Sequence, residues 1–148
     1  MEVLSSNQLM IGDWMLSLIN RYDRIEKKFC KVTGIRTDTE FPLIQCDDTD
    51  VWYHIESYEP IPLIPEILEK NGFVKEGYDG WKYYEYEGDV CTKNILCMIL
   101  WRVDMSMSHL RIRSFSDKYA SFSKFNINYV HELQHTLRLC GINKEIVL

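Results

Sequence analysis

Apolar positions in the first sixty residues come in short runs that alternate with polar ones. Residues 12–16 open on a turn and continue apolar, and residues 29–35 alternate and are rich in β-formers. Residues 41–46 and 51–58 follow, separated by the acidic turn Asp47-Asp48-Thr49-Asp50. Several short strands at intervals of about ten residues predict a small antiparallel barrel or curled sheet. Residues 20–28 are charged and predict a long hairpin loop between the first two strands.

Pro60, Pro62 and Pro65 mark a boundary, because three prolines so close together impose extended backbone and forbid a central strand. Pro65 suits the first position of a helix, where its missing N–H costs nothing. That helix runs over 65–70, and Asn71-Gly72 stops it with residues tolerant of left-handed geometry. Beyond it the pattern returns to sheet. Residues 81–86 alternate, 95–103 are nearly continuous in apolar residues, and 109–115 alternate with Leu110 and Ile112 on one face. Residues 116–124 read as a Ser-rich polar loop, 127–140 as a last helix ending at Gly141, and 146–148 as a short apolar tail. The expectation is an α+β protein with an N-terminal SH3-like β-subdomain (1–59) and a Pro-rich linker (60–65). An antiparallel sheet flanked by two helices (66–148) completes it, with the possibility left open that all three form one unit.

Composition narrows the class. Of the 148 residues, 46% are hydrophobic and 26% charged, as in ordinary globular domains rather than disordered or coiled-coil chains. No apolar run approaches the roughly 18 residues that cross a bilayer. Residues 1–10 lack a basic region followed by an apolar one, so no secretion signal is read there and the expected location is cytoplasmic. The net charge of −5 lies wholly in residues 1–65, which hold six Lys/Arg and eleven Asp/Glu. That front half is unsuited to broad phosphate-backbone binding. The turn at 47–50 lacks the spacing of a calcium loop and reads as solvated. The five cysteines, odd in number and without C-x-x-C, read as reduced and mostly core-filling, with no disulfide framework.

One short motif carries chemistry. His131-Glu132-Leu133-Gln134-His135 matches H-E-x-x-H, in which histidines four apart on a helix bind zinc and the glutamate activates a metal-bound water. A third ligand is missing, since Arg138-Leu139-Cys140-Gly141 follows and the remaining tail has no histidine. At about 100° per residue, Val130, Leu133, Leu137 and Cys140 form the apolar stripe and the two histidines lie opposite it. The helix is therefore expected to turn His131 and His135 toward solvent. The favoured reading assigns no catalytic, cofactor or metal residue. The zinc-hydrolase alternative uses His131 and His135 as ligands and Glu132 as base. A second alternative takes Arg111 and Arg113, with Tyr84 and Tyr86, as a binding face for single-stranded nucleic acid. No phosphate-cradling glycine loop and no nucleophile elbow is present.

Several segments together resemble a family of small, functionally uncharacterised proteins of Bacteroides-type bacteria, often carried by prophages and conjugative elements. The resemblance rests on Met10-Ile11-Gly12-Asp13-Trp14, Lys31-Val32-Thr33-Gly34-Ile35 and Glu59-Pro60-Ile61-Pro62-Leu63. Residues 66–73 (EILEKNGF) and Tyr129-Val130-His131-Glu132-Leu133-Gln134 complete it. It implies no activity; the favoured reading is a non-enzymatic binding or accessory module of a mobile element, with an unknown protein partner, no cofactor and no membrane. It also implies that H-E-x-x-H is incidental to a helix with another purpose.

Overall fold

In the computed structural model, which describes residues 4–21, 24–25, 27–76, 80–82, 96–104, 107–114, 121–139 and 144–148, the alternating segments of the N-terminal half pair into one antiparallel sheet. Its strands are β1 (Trp14–Ser17), β4 (Lys28–Arg36), β5 (Leu43–Cys46), β6 (Tyr53–His54) and β7 (Tyr58–Pro60), in the order β6-β5-β4-β1-β7. Between β1 and β4 the charged segment carries a minimal ladder of β2 (Asn20–Arg21) and β3 (Arg24–Ile25). The chain divides into two units, Met1–Pro62 with Tyr129–Thr136, and Leu63–Asn128 with Leu137–Leu148.

Strand alternation sends Met15, Cys30, Val32, Ile44 and Cys46 into the core of the first unit, with Leu9, Ile19, Ile55 and Tyr58 around them. Trp14, Lys31 and Gly34 take the other parity and are half-buried. One extra residue on β4, between the pairs Val32↔Cys46 and Gly34↔Gln45, makes a bulge that brings Ile35 back to the core opposite Ile44. At Gly34 a Cβ would lie 2.5 Å from Cη2 of Trp52, so any larger residue there would have to displace the indole ring. In the core, contact with the Cys46 sulfur and burial push the Cys30 thiol above its ordinary range. Burial, with Cys46 close by, does the same to the Tyr58 hydroxyl.

The expected closed barrel is an open sheet. β6 and β7 are its two edges, and the chain passes between them through a 3-10 turn at Ile55–Ser57 rather than by pairing. Pro60 accordingly sits on an edge strand, opposite Met15, where no ladder donor is missed.

In the second unit α1 (Pro65–Lys70) begins at its proline and ends at Gly72, whose φ is 79°. Gly72 N–H donates to Glu69 O at 3.0 Å and Phe73 N–H to Leu68 O at 3.0 Å, the paired bonds of a Schellman stop. Phe73 and Leu68 are both buried beside it. Asn71 does more than end the helix. Its Nδ2 donates to Ile67 O and Val147 O, each at 2.7 Å, and its Oδ1 accepts from Val147 N–H at 2.9 Å. A buried side-chain amide thus imitates a strand neighbour for the C-terminal tail, and Ile146 is buried next to that pairing.

β8 (Val74–Glu76) pairs with β9 (Gly80–Lys82). A three-stranded antiparallel sheet follows, ordered β10 (Leu96–Asp104), β11 (Met107–Ser114), β12 (Ser121–Asn126). Residues 121–124 of the Ser-rich segment expected to be a loop belong to β12, and the rest of that segment lies outside the described residues. The strand's aromatics fall opposite apolar residues, Phe122 at Ile112 and Phe125 at Leu110, with a bulge between. α2 (Val130–Leu139) closes the order. The architecture is α+β, and among the described residues no helix is long and apolar enough to cross a membrane.

Asn71→Ala removes three hydrogen bonds at a buried position, so it is expected to cost roughly 2–4 kcal/mol. Asn71→Asp keeps the acceptor but sets a carboxylate against two carbonyls, and should cost at least as much. Urea denaturation of both variants checks this, with faster amide exchange at Val147 as the local readout.

Candidate functional site

The H-E-x-x-H residues occupy the first turns of α2, and the structure employs each of them. Val130 N–H donates to Ile61 O at 2.9 Å, which fixes where the helix starts. Glu132 reaches back so that Oε2 accepts Tyr129 N–H at 3.1 Å, half of a capping box. Val130, Leu133 and Leu137 form the fully buried stripe.

The opposite face is not solvated. His131 is only 3% exposed and Gln134 and Thr136 are buried, so the expected outward turn of the histidines is corrected. The physical reason is a turn 120 residues earlier. Residues 10–13 reverse direction with Asp13 N–H on Met10 O at 3.2 Å and Gly12 at φ 88°. Gln134 spans this turn, its Oε1 accepting Trp14 N–H at 2.9 Å and its Nε2 donating to Gly12 O at 3.0 Å. Asp13, fully buried, accepts Met10 N–H at 2.7 Å on Oδ2. The same oxygen lies 2.7 Å from His135 Nε2; since a carboxylate accepts, the ring N–H is the donor. The polar face of α2 serves part-buried backbone groups and a buried carboxylate, with His135 itself half-buried.

His131 stacks on Tyr129 with centroids 5.8 Å apart and meets His135 edge-on at the same distance. Among the described residues no third ligand atom joins these imidazoles in a metal-sized group. The Glu132 carboxylate is bound to its own helix start, away from the role of a base. The cavity beside His131 and Glu132, lined also by Leu4, Gln8, Pro60 and Tyr129, measures about 10 Å³, room for one water at most. An Asp–His pair can orient a general base, but a substrate has no space here.

Space exists elsewhere in the first unit. An open groove of about 530 Å³ lies among Leu4, Ser5, Ser6, Phe41, Pro42, His54, Ile55 and Glu56, within the range of ligand sites. The short 3-10 turn Ser6–Gln8 forms one side, tied by Ser5 N–H to Gln8 Oε1 at 3.0 Å. The entry to β5 and the end of β6 form the other, joined by Ile55 N–H to Pro42 O at 3.2 Å. Phe41 stands 58% exposed with its ring edge-to-face on His54 at 5.8 Å. Sequence reasoning missed this groove; the only signal was Phe41 next to Pro42, a large apolar residue held at a strand entry. Nearby on the surface, the Arg36 guanidinium bonds Asp38 at 3.3 Å and holds its carboxyl below the ordinary range.

Of the residues considered for nucleic acid, the two arginines belong to the second unit. Arg111 and Arg113 fall on one face of β11, the middle strand of its sheet, opposite Ile99 and Cys97. Tyr84 and Tyr86 lie outside the described residues.

Gln134→Ala leaves the part-buried Trp14 N–H and Gly12 carbonyl without their side-chain partner and is expected to lower stability by roughly 1–3 kcal/mol. Glu132→Gln keeps an acceptor oxygen for Tyr129 and should stay within about 1 kcal/mol of the parent. Chemical denaturation of the two variants orders them; the reverse order would remove the structural assignment of the motif. No protein-family model, curated protein or solved structure matches the chain.

Proposed function

We propose that this protein is a non-enzymatic binding module whose N-terminal unit takes an extended, apolar segment of a partner protein in the groove beside Phe41. The observation that carries the reading is the groove's size and lining together with an aromatic ring left more than half exposed at its edge. Leu4, Phe41, Pro42 and Ile55 offer apolar surface, and Ser5, Ser6, His54 and Glu56 offer a polar rim. Aromatic- and proline-lined grooves of this kind suit extended, proline-containing peptides, whose low conformational entropy lessens the cost of ordering. The charge of residues 1–65 favours basic residues flanking the apolar ones. Small SH3-like sheets use comparable grooves, an analogy at the level of fold. A cytoplasmic accessory role on a mobile element extends the reading along the family resemblance. Zinc hydrolysis is disfavoured by the engaged Glu132 and the one-water cavity beside it.

Selection of a displayed random-peptide library on the immobilised protein tests the reading. Enrichment of apolar sequences with basic flanks is expected. Phe41→Ala, at an exposed position, should leave the thermal midpoint unchanged and weaken a selected peptide at least about tenfold, equal to about 1.4 kcal/mol. Absence of an enriched sequence family, or equal binding by Phe41→Ala in fluorescence anisotropy, would overturn it.

A further inference from the structure

The pairing of β4 with β5 places a second set of chemistry-bearing residues together. Val32 lies opposite Cys46, so continuing that register past the end of β5 sets position 48 across from Cys30. The Sγ atoms of Cys30 and Cys46 and a carboxylate oxygen of Asp48 all lie within 4.8 Å of one another, the one such group among the described residues. Both cysteines are free and fully buried.

The turn after β5 is built to hold Asp48 in this position. Asp47 N–H donates to Lys31 O at 2.9 Å, and the Asp47 carboxylate accepts Lys31 N–H at 2.8 Å. Thr49 N–H returns to Cys46 O at 3.2 Å, and Asp50 O accepts from the Gln45 side chain at 3.0 Å. The neighbours of Asp48 thereby tie the turn to the sheet while Asp48 itself is half-buried.

An independent feature points to the same spot. Tyr58 is 3% exposed, and its hydroxyl, close to the Cys46 sulfur, makes no hydrogen bond of good geometry among the described residues. A buried hydroxyl and a carboxylate around two sulfurs are costly company if the sulfurs serve only as small hydrophobes.

We infer that Cys30, Cys46 and Asp48 form a binding site for a thiophilic divalent cation of the zinc class, with the Tyr58 hydroxyl as hydrogen-bond donor to the Cys46 sulfur. Two thiolates and a carboxylate are a borderline-soft donor set that suits tetrahedral zinc. Zinc–sulfur bonds of about 2.3 Å and zinc–oxygen bonds of about 2.0–2.2 Å put tetrahedral ligands roughly 3.5 Å apart. The present spacing needs only a small inward adjustment of the turn. Each thiol exchanges its S–H bond for a bond to the metal, so two protons leave per cation and no electrons move. The fourth position falls to water or another small ligand. Such a site pins the acidic turn to the sheet.

The test uses the full chain, tag-free, stripped by a chelator and kept under a non-thiol reductant, titrated with cobalt(II) and then zinc. One cobalt per chain is expected, with a thiolate-to-cobalt charge-transfer band in the near ultraviolet that zinc abolishes and release of two protons. Cys30→Ala and Cys46→Ala should each eliminate the band. Tyr58→Phe should weaken cobalt about 10–100-fold, as loss of an outer hydrogen bond does, and Asp48→Asn at least as much. Asp48→Asn sits in a surface turn and keeps the test available if the cysteine variants do not fold. No thiolate band in the parent protein, a band of full strength in Cys46→Ala, or a cobalt affinity in Asp48→Asn equal to the parent's would overturn the site; cobalt bound without that band would also do so, placing the metal elsewhere.

Discussion

The first unit depends on the need to satisfy backbone groups at the reversal before β1. The turn at residues 10–14 presents Met10 N–H, Trp14 N–H and Gly12 O at part-buried positions, where side chains rather than water supply their partners. Gln134 and Asp13 supply those partners, and Asp13 O in turn accepts Val32 N–H at 2.9 Å while Gly12 N–H donates to Val32 O at 2.7 Å. The same few residues therefore fix where β1 begins, how it meets β4, and where the first turns of α2 lie. Because Gln134 is 120 residues from Trp14, the constraint can act only after nearly the whole chain is present. Non-local contacts of this kind slow folding relative to local ones.

This arrangement changes the meaning of the most chemical-looking motif in the chain. Histidine, glutamate and glutamine at helical spacing can describe a metal site or a set of caps and clamps, and the two differ in what the side chains face. Here Glu132 faces the start of its own helix, Gln134 faces two backbone groups, and His135 faces a buried carboxylate. A helical wheel assigns polar residues to water by default. It fails when the polar partners are backbone groups distant in sequence, because neither their position nor their need is written near the helix.

Features governed by neighbouring residues were legible in the sequence. Pro65 starts α1 and Asn71-Gly72 stops it, since both depend on φ preferences and local hydrogen bonds. The alternation of β4 held despite its bulge, because a long strand carries enough inward positions to survive one slip. Less local features were hidden. β12 was masked by the serines of a segment that reads as a polar loop. Closure of the sheet could not be read from strand spacing, as it depends on whether two edges meet. The second role of Asn71, as a strand neighbour for Val147, needed a tail 76 residues away.

Cysteines show the same division between local and distant information. Cys30 and Cys46 each sit in an apolar run, and each alone is a small hydrophobe. Their meeting depends on register: Val32 opposite Cys46 puts both sulfurs on the inner face, and the bulge at Thr33 leaves that part of the ladder undisturbed. A slip of one residue would turn one sulfur outward and break the group. Packing alone would be satisfied by any residue of that size at either position. Joint placement with Asp48 and the Tyr58 hydroxyl is a stricter condition, and strand register together with a tied turn meets it. Polar groups beside α2 have backbone and carboxylate partners; the Tyr58 hydroxyl has only the weak acceptor of the nearby Cys46 sulfur, and a thiolate there would give it a strong one.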